Sequence, residues 1–178
     1  MMIKVKVMDR TFLILVSSMI LIVSTSACLT RCNFLLAGVN RDSCYTQQAA
    51  SSLDLSYCDK INEKYYEWIC LQNVATGSSN VSICSSIGSE NERDYCVRQV
   101  ALKVRKTKYC SLIRRKSWKI SCYMDVGVIA GDFTVCNQIR EYYGDDGCYL
   151  IMGASKKDPM MCDRIRNDTV KNHCYSRL

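Results

Sequence analysis

From residue 32 onward, apolar positions recur in two alternating patterns, each anchored on a cysteine. In the first, apolar or small residues follow the cysteine at offsets 1, 4 and 5. Examples are Cys70, Leu71, Val74, Ala75; Cys96, Val97, Val100, Ala101; and Cys122, Tyr123, Val126, Gly127. These offsets share one face of an α-helix, and they predict a helix of about ten residues. The residue at offset 5 is always small (Ala49, Ala75, Ala101, Gly127, Gly153), which predicts close approach of a neighbouring helix. In the second pattern the apolar residues flank the cysteine at −1 and +3: Tyr57/Ile61, Ile83/Ile87, Tyr109/Ile113, Val135/Ile139 and Met161/Ile165. That i, i+4 spacing predicts a second, shorter helix of about two turns.

The punctuation between the two patterns is also periodic. Four residues before each second-type cysteine stands Asp54, Asn80, Lys106, Asp132 or Asp158. All but Lys106 carry a short side-chain oxygen able to accept from a first-turn N–H, so they read as N-caps. Pro159, the single proline, follows Asp158 at the first helical position, where its missing N–H costs nothing. Gly77 and Gly131 precede the caps, where the previous helix must stop.

The cysteines fall at 32, 44, 58, 70, 84, 96, 110, 122, 136, 148, 162 and 174, with intervals alternating 12 and 14. The chain is therefore a tandem array with a 26-residue period. The expected organisation is residues 1–27 as a signal peptide or anchor and 28–178 as one repeat domain. Its units are 41–66, 67–92, 93–118, 119–144 and 145–170, with half-units at 28–40 and 171–178. The fold class predicted is all-α: a short α-solenoid of helical hairpins stapled by disulfides.

Two pairings respect the period. Joining each first-type cysteine to the next second-type one strands Cys32 and Cys174. Joining across the 12-residue interval uses all twelve: Cys32–Cys44, Cys58–Cys70, Cys84–Cys96, Cys110–Cys122, Cys136–Cys148 and Cys162–Cys174. The second scheme is the expectation, because antiparallel helices turning near Lys64 would bring Cys58 and Cys70 level. Of 13 cysteines, only Cys28 is then left over. So dense a cysteine content in a chain with one His points to an oxidising compartment rather than the cytosol. Zinc sites place two ligands a few residues apart and redox pairs use C-x-x-C. No such spacing occurs in the array, so neither metal nor cofactor is expected.

The first residues fit an export signal: Lys4, Lys6 and Arg10, then apolar Thr11 to Val23, then small Ser24 to Ala27. The segment Thr25-Ser26-Ala27-Cys28 looks like a prokaryotic lipobox, although Leu is usual where Thr25 stands. That resemblance implies lipidation of Cys28 and attachment to the outer face of the cell membrane. An uncleaved anchor over Thr11 to Leu29 and an ordinary signal cleavage at Ala27 are the alternatives. Residues 32–178 resemble the cysteine-rich helical-repeat proteins of prokaryotic, archaeal-type cell envelopes. This implies the stapled helical architecture and says little about activity.

Charge breaks the symmetry of the repeat. The chain carries +7, and eight bases fall between 103 and 119 with no acid among them: Lys103, Arg105, Lys106, Lys108, Arg114, Arg115, Lys116 and Lys119. Tyr109 and Trp118 lie close by. The run is a candidate contact for an anionic envelope component or a protein; a solvated basic face is the plainer reading, and nucleic acid is not expected outside a membrane. No nucleophile elbow, P-loop or zinc-protease motif is present. His173 has no counterpart in its repeat position. The pairs Asp145/Asp146 and Glu90/Glu92 read as helix starts or surface charge, since Asp146 shares its repeat position with Asp42 and Asp94. Asn80 and Asn167 begin glycosylation-type triplets, and Asn80 doubles as a cap. The expected function is a membrane-tethered extracytoplasmic scaffold or protein-interaction module, not an enzyme. The alternatives are an extracytoplasmic enzyme or small-ligand carrier, and a purely structural envelope protein.

Overall fold

In the computed structural model the described residues are 32 and 39–178. The leader, Cys28 and residues 33–38 lie outside them. Seven α-helices and three 3-10 helices follow one another, with no strand among the described residues. The helices are α1 (Val39–Ser52), α2 (Lys64–Ser78), α3 (Glu90–Val104), α4 (Lys116–Ala130), α5 (Val135–Lys156), α6 (Pro159–Asp163) and α7 (Asp168–Tyr175). The 3-10 helices are η1 (Leu55–Lys60), η2 (Val81–Ser86) and η3 (Thr107–Leu112). Each α-helix packs against the one before it, the one after it and the short helices between, so the architecture is the disulfide-stapled helical repeat that the spacing predicts.

The two helices of a unit differ from expectation in length and type. The first-type helices α2, α3 and α4 have 15 residues each, not about ten. They begin well before their cysteine, in a stretch where polar and aromatic residues hide the periodicity. The second-type segments η1, η2 and η3 are 3-10, not α. Their six residues lie between an extended cap and an extended isoleucine. The N–H of Ile61, Ile87, Ile113 and Ile165 reaches back three residues to the carbonyl of Cys58, Cys84, Cys110 and Cys162 at 3.1–3.2 Å. In these four copies the apolar +3 residue is thus the place where the turn ends, and Ile61, Ile87, Ile113, Ile139 and Ile165 are all buried. The fourth and fifth units are the exceptions. In the fifth the second-type segment is the short α-helix α6; in the fourth it is α-helical and continues into the next helix within α5, broken only at Gly144 (φ 63°, ψ 169°), a conformation open essentially to glycine alone.

The caps behave as the sequence predicts. Asp54, Asn80 and Asp158 accept from the N–H two residues on at 2.9–3.1 Å, as does Asp132 ahead of α5, and Lys106 makes no such bond. Pro159 opens α6. The stop signal needs correction. Gly131 does end α4 in the left-handed conformation (φ 69°), but Gly77 lies inside α2. The left-handed position recurs every 26 residues as Leu53, Ser79, Arg105, Gly131 and Lys157. Glycine holds only one of these, so the repeat imposes the conformation on side chains that disfavour it. Gly77 instead faces the side chain of Leu53, which sits where its missing Cβ would go.

The small-residue column is the closest point between neighbours. Ala49, Ala75, Ala101, Gly127 and Gly153 are all fully or almost fully buried. A Cβ on Gly127 would lie 2.7 Å from Val135, and one on Gly153 would lie 3.0 Å from the Cys174 sulfur.

Candidate functional site

All six staples join the expected partners across the 12-residue interval, with Cα atoms 5.6–5.7 Å apart. Every half-cystine except Cys44 is buried, so the bridges form the axis of the core rather than its surface. Each closes a loop that is worth about 3 kcal/mol in the chain-entropy account. So many buried disulfides are the mark of an oxidising, extracytoplasmic environment.

The basic run does not make one patch. A 15-residue helix is about 22 Å long at about 1.5 Å per residue, and the run brackets α4 from both ends. Thr107 donates to Asp132 just beyond the end of α4 (2.6 Å), so Lys103, Arg105 and Lys106 stand at that end. Arg114, Arg115, Lys116 and Lys119 stand at the start of α4, and Lys108 lies on η3 between. Several bases are already committed. Lys103 donates to the carbonyls of Thr76 and Gly77 at 2.6 and 2.7 Å, capping α2 of the preceding unit. Arg115 lies 3.5 Å from Asp94 and stacks its guanidinium 4.3 Å from the Trp118 ring. Lys116 lies over Tyr142 and Lys108 over Tyr109. Arg105, Lys106 and Arg114 remain exposed, with no side-chain bond among the described residues.

The shared position of Asp42, Asp94 and Asp146 has a structural explanation. Each carboxylate reaches forward and accepts two consecutive backbone N–H groups at the start of the next first-type helix. Asp42 takes Asn62 and Glu63, Asp94 takes Arg114 and Arg115, and Asp146 takes Arg166 and Asn167, at 2.9–3.2 Å. Asp42 and Asp94 are buried while doing so. The backbone hydrogen bonds from Arg166 and Asn167 hold the Asp146 carboxyl below its ordinary pKa. Two units have no acid at this position, which is Trp68 and Ile120 there; ahead of α3, Arg93 instead donates to the carbonyls of Ile87 and Gly88. These acids fasten one first-type helix to the segment that opens the next, and Asp145 pairs with Arg140.

A row of aromatic rings crosses three units on the first halves of α2, α3 and α4. Tyr65 meets Trp68 (6.0 Å between centroids), Trp68 meets Tyr95 (6.2 Å) and Tyr95 meets Trp118 (6.1 Å), each edge to face. Tyr65 is 61% exposed and the other three are half-buried. Cavities flank the row at both ends. One of about 490 Å³ lies between α2 and the start of α3, bounded by Tyr65, Trp68, Leu71, Ile87, Glu67 and Glu92. The other, of about 260 Å³, is bounded by Arg98, Ser117, Trp118 and Ser121, and Arg98 is ion-paired to Asp125 of α4. The first of these cavities, with its aromatic wall and apolar floor, is the kind of concave surface where ligands and partner side chains seat.

Sequence reasoning places Trp118 near the basic run and expects exposed tyrosines at a contact, but it names none of Tyr65, Trp68 and Tyr95. They stand 2, 1 and 5 residues before their cysteines, at positions held elsewhere by Asp42, Ser43 and Val39. No repeat position marks them. The one available signal is that both tryptophans of the chain fall in the first half of a first-type helix. His173 is exposed in the last turn of α7. Asn80 and Asn167 both spend their side-chain oxygen on capping. Among the described residues no group of three or more His, Cys, Asp or Glu is placed to hold a metal, and no helix is long and apolar enough to cross a membrane. The chain matches no protein-family model, no curated protein and no solved structure with which it was compared.

Proposed function

We propose that this chain is an extracytoplasmic scaffold whose stapled repeats present an interaction surface, held at the membrane by lipid on Cys28. The observation that carries the reading is the aromatic row on a rigid frame. Tyr65, Trp68, Tyr95 and Trp118 come from three successive helices, each locked by its own disulfide. Repeat arrays bind through such extended faces, built from residues that vary between units while the core residues do not. Partly exposed Trp and Tyr beside charged rims are the composition of binding hot spots. The exposed base Arg114, at the same end of α4 as Trp118, adds a positive charge beside the row suited to an acidic envelope surface.

Two measurements test the two halves of this reading. Intact mass of the protein extracted from the membranes of its own cells should begin at Cys28, carry added acyl mass and gain twelve hydrogens on reduction, two for each of the six staples. Recovery in the aqueous fraction without acyl mass would overturn the tether. A photo-crosslinking residue at Tyr65 should give a discrete adduct in those cells that Trp68→Ala and Trp118→Ala weaken together. A diffuse smear insensitive to both changes would overturn the interaction surface.

A further inference from the structure

We infer that the cavity between α2 and α3 is a subsite for an alkyl chain ending in an ammonium or guanidinium group, such as the Lys or Arg side chain of a partner. The inference deepens the interaction reading by naming the chemistry the surface takes, and it rests on three features of the cavity.

The first is charge. The cavity is bounded by one base and two acids, Lys64, Glu67 and Glu92. Lys64 is spent on Glu67 at 2.7 Å. Glu92 has no ion-pair partner among the described residues, and its Oε2 is buried without a hydrogen-bond donor. The adjacent base, Arg93, spends its guanidinium on the carbonyls of Ile87 and Gly88 at the cavity's edge and not on Glu92. Glu92 as a residue is half-buried, but a shielded carboxylate oxygen without a donor is costly, and a cation entering the cavity supplies what the chain does not.

The second is the wall. The rings of Tyr65 and Trp68 stand at 86° to each other beside the cavity. Aromatic faces attract ammonium and guanidinium groups, most strongly where water is displaced. The third is the floor. Leu71 is half-buried and Ile87 is 2% exposed, an apolar bed suited to the methylene stem that Lys and Arg carry. An anion would meet Glu92, and an uncharged chain would leave that carboxylate as it is.

The test uses the full oxidised chain with Trp118→Phe, so that Trp68 alone reports by fluorescence. The probes are the N-acetyl amides of lysine, arginine and norleucine, the last keeping the stem without the charge. The lysine or arginine probe should shift Trp68 emission saturably, and the norleucine probe should bind at least about tenfold more weakly. Glu92→Gln, with an unchanged melting temperature, should weaken the charged probes by about tenfold and leave norleucine unaffected. Stronger binding of arginine would assign a guanidinium site, and of lysine an ammonium site. Equal binding of all three probes, no saturable shift, or charged-probe affinity unchanged in Glu92→Gln would overturn the inference. Because side-chain analogues are used, those results would leave the wider interaction surface to stand or fall on the crosslinking experiment.

Discussion

At the scale of the residue, the most consequential side chain is one that resembles a catalytic acid and is a joint. Asp94 is 1% exposed and takes the N–H of Arg114 and of Arg115 at 3.0 Å each, one per oxygen. Asn at this position keeps one acceptor and turns an NH2 toward the second N–H, leaving that donor buried and unmade. Asp94→Asn should therefore cost about 2 kcal/mol, read as a shift in denaturant midpoint with the disulfides intact. A midpoint equal to that of the parent would show that water replaces the bond. The exposed fastenings act through pH. Asp132 is held below its ordinary pKa first by the hydroxyl of Thr107 and then by that of Thr134, and Asp146 by two backbone N–H groups. A depressed folded pKa means that the unfolded chain binds protons first. Their stabilisation is complete above the ordinary carboxyl value of about 4 and is lost as pH falls through the lowered folded values. The melting temperature should be flat from about pH 6 to 5 and fall below about pH 4. Asp132→Asn should flatten part of that fall, and a parallel curve for this variant would remove Asp132 from the account.

At the scale of the element, the repeat sets how near two helices come, and the small-residue column sets the limit. A Cβ on Gly127 would lie 2.7 and 3.1 Å from the two methyls of Val135 and 3.2 Å from the carbonyl of Asp132. Val135 is β-branched and buried at the start of α5, so it has no rotamer to retreat into. Gly127→Ala should cost about 1–3 kcal/mol. Val135→Ala in the same chain should return part of that, since the two changes share one contact. Gly88→Ala, with nothing within 4 Å of its new methyl, is the control, and a cost there as large would mean that backbone rather than packing is at issue. This column is visible in the sequence because packing demands the same answer in every unit. The cysteines, the isoleucine at +3 and the cap residues are visible for the same reason. The 3-10 type of η1–η3 is not visible: the apolar pair at −1 and +3 has α-helical spacing, but its isoleucine is the extended residue that ends the segment and takes no part in the winding. The aromatic row is hidden because it comes from positions that the repeat leaves free.

At the scale of the whole molecule, stability passes between neighbours. Lys103 caps the helix of the preceding unit, Thr107 holds Asp132, Arg98 holds Asp125, and each Asp fastening ties its helix to the start of the next first-type helix. The basic run shows what this means for reading function from sequence. Eight bases contiguous in the chain are divided by the length of α4, and three of them serve the frame through Asp94, Trp118, Tyr142 and the carbonyls of α2. A chain coupled mainly between nearest neighbours should open first where a unit has the least packed around it. The half-cystines Cys110, Cys122, Cys162 and Cys174 are all 0% exposed, so no bridge among them is open to reductant in the folded state. What differs is their surroundings. Cys110–Cys122 lies within the large central cluster, between α3 and α5. Cys162–Cys174 lies in a small cluster with Ile165, Val170, Tyr149 and Leu150, backed by α5 on one side. Local opening of α6 and α7 therefore breaks fewer contacts than opening of η3 and α4. Under brief, limiting reductant without denaturant, followed by alkylation and peptide mass mapping, label should appear at Cys162 and Cys174 before Cys110 and Cys122. Point changes should respect the same geography. Asp146→Asn, which loosens the start of α7, should speed labelling of the last bridge and leave Cys110–Cys122 unchanged. Simultaneous labelling of both bridges, or equal acceleration of both by Asp146→Asn, would mean that the array unfolds as a single cooperative block and that its units are not independent enough to fray.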